Sequence, residues 1–161
     1  MIVVSDTSPL RALQALDKVA ILERMYGSVV IPPAVAAELA YPVDTLGAFN
    51  LAAFPSIVVA TPHDEAILGA LRAQVDEGEA QAIALSLELG ADLLVIDDLQ
   101  GRAAARRAGV RTRGLLGMLV DAKAAGLCGP IRPLVAVLQS TIGFRASPVV
   151  LNAVFVEAGE P

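Results

Sequence analysis

Residues 91–98 read ADLLVIDD, and the fold turns on them. Leu93 to Ile96 form an unbroken aliphatic run with no polar alternation, so both faces of the strand they build must be covered. That is the pattern of a central strand in a parallel sheet with helices on each side. The run stops on two acids, Asp97 and Asp98. The same design opens the chain, where VVSDTSPL at 3–10 ends a short apolar run on Asp6, followed at once by Thr7, Ser8 and Pro9. Asp, Ser and Thr cap helices and Pro suits a first helical turn, so punctuation alone would explain the acid. The same order also sets a carboxylate at the carboxyl edge of a parallel sheet, where open α/β folds build their sites.

Outward from these two strands the chain alternates. After a first strand at 2–4, helices are predicted at 8–16 and 18–26, the latter closed by Gly27. A strand at 28–31 stops at Pro32 and Pro33, and PAVAAELA continues as a helix with Pro33 in its first turn. Residues 41–54 read as a loop or a broken helix, and SIVVA at 56–60 as a third strand. Helices follow over 63–75 and 77–90, then the strand at 92–98, a helix at 99–108 and a short strand at 110–112. Three helices end the chain at 115–126, 130–143 and 147–159, the last with Ser147 as its cap. The expectation is a doubly wound α/β sandwich: a mostly parallel sheet of four or five strands flanked by helices, with a helical C-terminal end. Without a repeat or a linker, residues 1–161 are expected to form one domain.

Composition narrows the class. Hydrophobic residues make up 55% but aromatics only 4%, which predicts an aliphatic core. Mean hydropathy is positive, yet no apolar run approaches the roughly 20 residues of a spanning helix, so no membrane segment is expected. The chain starts directly on a strand and carries one cysteine, Cys128, so a cytoplasmic protein without disulfides is expected. A net charge of −5 argues against a general nucleic-acid coat. Arg102, Arg106, Arg107, Arg111 and Arg113 nonetheless cluster, as a solvated helix face, a phosphate-facing edge or a dock for an acidic partner.

If the strands ending at Asp6 and Asp97 are neighbours, their acids meet in one crevice. Like charges so placed repel unless a cation neutralises them. Glu38 is the only charge between Ser28 and Val43, either a solvent-facing position or a further donor. Glu79 opens a helix three residues after Asp76, at capping-box spacing, and can be cap or donor. An all-oxygen set suits Mg²⁺ or Mn²⁺ rather than zinc. The one histidine, His63, reads as a surface residue, so a nucleophilic triad is unsupported, and no glycine-rich phosphate loop precedes a helix.

Taken in order, the strand ending in Asp6-Thr7-Ser8, IPPAVAAEL with Glu38, EGEAQAIALSLELG with Glu79 and ADLLVIDD with Asp97 resemble a PIN domain, closest to small prokaryotic VapC-type toxins. The resemblance implies a metal-dependent endoribonuclease with Mg²⁺ or Mn²⁺, the toxin of a toxin–antitoxin pair. Asp6, Glu38, Glu79 and Asp97 would be its catalytic acids. Asp6, Asp97 and Glu79 would hold the metal, with Asp98 replacing or assisting Asp97. The third acid is often Asp in toxin members, whereas here it is Glu79 with Glu77 nearby. Ser5, Thr7 and Ser8 match hydroxyl positions around the first acid, with Thr7 and Ser8 on the substrate side. Arg102 and Arg106 would hold the RNA backbone or an antitoxin's acidic residues. A small protein antitoxin and a homodimer are the implied partners. Two alternatives stand beside this: an inert PIN-like binding module, and a phosphohydrolase of the haloacid-dehalogenase type. The latter wants a second Asp where Ser8 stands.

Overall fold

Five short strands, four of them mainly aliphatic, pair into one sheet in a computed structural model that describes residues 1–43 and 45–161. They are β1 (Val3–Ser5), β2 (Val29–Ile31), β3 (Ile57–Val59), β4 (Leu93–Val95) and β5 (Thr112–Arg113), in the order β3-β2-β1-β4-β5. Every pairing is parallel, which the expected mostly parallel sheet allowed for. β1 meets β4 in the register Val3↔Leu93, Val4↔Leu94 and Ser5↔Val95. From β1 the chain winds outward to β2 and β3, then returns to the other side of β1, so the strand order reverses between β1 and β4. The two acid-tipped strands are therefore neighbours at the topological switch point.

Helices cover both faces, and adjacent strand residues divide between two cores. Val3, Leu93 and Val95 point to one core, shared with α1 (Thr7–Ala15), α2 (Ala20–Tyr26), α3 (Pro33–Leu39), α7 (Leu115–Ala124), α8 (Ile131–Ile142) and α9 (Pro148–Glu157). Val4, Leu94 and Ile96 point to the other, against α4 (Glu65–Arg72), α5 (Glu77–Leu89) and α6 (Leu99–Arg107). Among the described residues no helix is long and apolar enough to cross a membrane.

Local bonds move several boundaries. Asp6 occupies the N-cap position of α1 without a side-chain cap bond, and α1 starts at Thr7, one residue before the expected Ser8. α2 begins at Ala20 rather than at Lys18. The helix expected at 63–75 is reduced to 65–72, because the backbone N–H groups of His63 and Asp64 are taken by Glu88 Oε1, both at 2.6 Å, and Asp64 then caps Ile67 at 3.0 Å. Regular β4 ends at Val95, although the Ile96 N–H still donates to the Arg113 carbonyl at 3.0 Å. The ambiguous 41–54 stretch is coil with one 3-10 turn at Leu51–Ala53, and residue 44 within it lies outside the described residues.

That coil is tied down by a buried arginine. Arg11, on α1, donates to the carbonyls of Glu38 (3.0 Å), Gly47 (3.3 Å) and Tyr41, and to Gln14 Oε1 (3.1 Å). One guanidinium thus joins the end of α3 to the loop beyond it, using the several donors that only arginine offers. Arg11→Met keeps the apolar stem and removes these donors, and should cost on the order of 3 kcal/mol. The urea midpoint measures this, and a wild-type midpoint would mean that the clamp contributes nothing.

Candidate metal centre

Asp6 leaves β1 where its own N–H still donates to the Val95 carbonyl, at 3.0 Å, which fixes the acid on the edge of the sheet. Its residue is 5% exposed and its carboxylate caps no helix N–H. Burial pushes its pKa up to about 7 against the opposing Thr7 backbone N–H, and the charges of Asp76, Glu38 and Asp98 add to the rise. Glu79, 7% exposed at the start of α5, is also raised to about 7. Burial is again the main cause, followed by the charge of Asp76. The Asp76 backbone N–H opposes it, and Asp98 and Asp6 add smaller contributions.

The local sequence explains how these acids come together. Asp76 Oδ1 accepts from the Glu79 N–H at 2.9 Å, and Glu79 Oε2 accepts from the Asp76 N–H at 3.2 Å, a complete capping box. The cap reading of Glu79 therefore holds in geometry, and the charges of Asp76, Asp98 and Asp6 act on the same carboxylate. Glycines let the neighbouring helices close in. A Cβ on Gly78 would stand 2.8 Å from Glu38 Oε1, and one on Gly101 would stand 3.2 Å from Glu79 Oε1 and 2.7 Å from Ile96 Cδ1. Glu38 itself is exposed at the rim, where it accepts the Thr7 hydroxyl.

Asp97 and Asp98 diverge. Asp98 caps α6 through the Gly101 N–H at 2.9 Å, and its charge raises both Asp6 and Glu79. Asp97 turns toward β5 and α7, where Oδ1 accepts the Leu115 N–H at 3.1 Å. Ser5 Oγ donates to the Asp6 carbonyl oxygen at 2.9 Å rather than to its carboxylate, and Ser8 is exposed on α1. Arg102 lines a groove beside Asp97, while Arg106 lies exposed one turn further along α6. His63 is a surface residue, as expected. The acid that sequence reasoning left out of the cluster is Asp76. Its signal was visible in the run DEGE at 76–79, but a cap accounted for it fully.

The donors suit a hard cation. Asp6, Glu38, Asp76, Glu79, Asp97 and Asp98 form no salt bridge among the described residues, so two buried carboxylates lack a counter-charge. A hard divalent cation such as Mg²⁺ or Mn²⁺, which prefers carboxylate oxygen, would supply that charge. The side chains are splayed: among the described residues no three His, Cys, Asp or Glu side chains are grouped closely enough to hold an ion. The set fits such a cation by the chemistry and burial of its donors, and not by their spacing.

Compared with known families, residues 2–160 match the family model described as DUF3368, PIN domain. No curated protein matches the sequence.

Proposed function

The chain belongs to the PIN-domain family, whose fold is nuclease-like and whose members are typically nucleases, and on that premise we propose that it is a metal-dependent endoribonuclease. We propose further that it is a cytoplasmic toxin held in check by a small antitoxin. The observation that carries the reading is the pair of buried acids, Asp6 and Glu79, both raised to about 7 at the switch point without a counter-charge.

In this reading Asp6 and Glu79, once deprotonated, would hold the cation, with Asp98 and Asp97 as the further donors. When bound, Mg²⁺ or Mn²⁺ lowers the pKa of a water and offsets the charge developing on the phosphate. Glu38 stands at the solvent-facing rim, oriented by the Thr7 hydroxyl, and accepts the proton of the attacking water. Thr7 and Ser8 border the substrate, and Arg102 and Arg106 neutralise the RNA backbone along α6. Exposed Val149, Val150 and Val156 on α9 support contact with a second copy of the chain or with the antitoxin.

Total RNA incubated with the chain and Mn²⁺ should acquire new ends at discrete positions, mapped by sequencing. Chelator should remove them, and Glu79→Gln should slow their appearance by about 10²-fold. Cleavage that is indifferent to both would sink this mechanism. The splayed carboxylates favour a second reading, an inert binding module. A folded chain with neither cleavage nor saturable Mn²⁺ binding in calorimetry would support it.

A further inference from the structure

Asp97 stands at the head of a groove of about 420 Å³ that runs from α6 past the β5–α7 turn to α9. Three arginines line it. Arg113 is fully engaged, with Nε and Nη2 on Asp121 at 3.0 and 2.8 Å and Nη2 on Glu157 at 3.2 Å. Arg102 and Arg145 have no ion pair among the described residues, and Arg102 Nε is buried without any hydrogen-bond partner. A buried charged donor left unpaired is costly, and Arg102 thus lines the groove with its charge uncompensated by any ion pair among the described residues. Gly114 keeps the place open: a Cβ there would meet Arg102 Nη1 and Asp97 Oδ1, each at 3.2 Å. Apart from Ser147 and Glu157 the remaining wall is apolar, with Leu99 79% exposed and Phe144 and Val150 among its residues.

We propose that this groove is a phosphate subsite for single-stranded RNA, in which Arg102 and Arg145 hold the phosphodiester next to the one cleaved. Guanidinium groups match phosphate oxygens in pairs, and the apolar wall receives the ring of the same nucleotide. Asp97, next in sequence to Asp98 of the acidic edge, lines the groove together with both arginines, so a strand leaving the acids on this side enters it. An acidic peptide would have no such reason to start there. The subsite rests on the ribonuclease reading.

Binding of short labelled oligouridine and oligoadenosine RNAs, with Ca²⁺ in place of Mn²⁺, tests it on Arg145→Glu and on Arg102→Gln, with melting curves to confirm folding. Arg145 lies on an exposed loop, so its variant should fold normally. Each variant should bind both RNAs about tenfold more weakly, with no preference between them. The slope of log affinity against log salt should fall by about 0.7, the share of one single-strand phosphate. Wild-type affinity and slope in both variants, while the wild type still cleaves RNA, would overturn the subsite and leave the ribonuclease standing. A loss confined to one base would overturn it too. A wild-type chain that neither binds nor cuts RNA removes both. If Arg145→Glu abolishes binding of polyglutamate and leaves RNA binding untouched, the groove belongs to an acidic protein partner instead.

Discussion

Asp6→Asn is expected to raise the melting temperature of the metal-free chain by about 4–8 °C at about pH 8, while abolishing Mn²⁺ binding and RNA cleavage. A substitution in a core usually destabilises. Here the wild-type group is a carboxylate whose burial and acidic neighbours hold its pKa at about 7. At about pH 8 it is ionised and unpaired, next to Asp76, Glu38 and Asp98. Asn keeps its shape and removes the charge, a relief on the order of 2 kcal/mol, which corresponds to that shift in a chain of this size. At about pH 5, where Asp6 already carries a proton, the difference between variant and wild type should vanish. Melting curves in chelator at the two pH values test both halves. A variant that melts below wild type at the higher pH would mean that Asp6 is held by a favourable contact rather than strained by repulsion.

The second large effect is on the wild-type chain. Between about pH 4, where an ordinary carboxyl loses its proton, and about pH 7, the folded chain keeps protons at Asp6 and Glu79 that the unfolded chain has released. Stability in chelator is therefore greatest at the acid end of this window and is lost as pH rises through it. The Asp6 charge contributes to the rise of Glu79, so the loss is partly shared, on the order of 3 kcal/mol for the pair. A cation competes with those protons, so stabilisation by Mn²⁺ should be small at about pH 5 and large at about pH 8. Melting temperatures with chelator and with Mn²⁺ at both values measure this. Metal-free stability that climbs from about pH 5 to 8 would remove the buried-acid picture.

What the sequence disclosed, it disclosed through local pattern. The unalternated run at Leu93–Ile96 marks a strand covered on both faces, and β4 is that strand, at the side of β1. Its acids and Asp6 accordingly share one edge of the sheet. What stayed hidden depends on partners far along the chain. Which of Asp97 and Asp98 turns inward is decided by the Leu115 N–H, 18 residues from Asp97. The start of α4 is set by Glu88, 24 and 25 residues from the groups it binds. Thr7 and Glu38 are 31 residues apart, and spacing offers no sign of their bond. Asp76 was missed for a different reason, because a capping box is a complete local explanation and conceals a second role.

The pairing of β1 with β4 also sets when this site can exist. Asp6 leaves the ribosome long before Leu93, where its neighbouring strand begins. Contacts so distant in sequence form late, because loop closure must be achieved before they stabilise anything. Until the middle of the chain has been synthesised and folded, its acids remain scattered. For the ribonuclease proposed above, parallel topology would thus be a safeguard in time: the nascent chain would stay harmless beside the message and ribosome that make it.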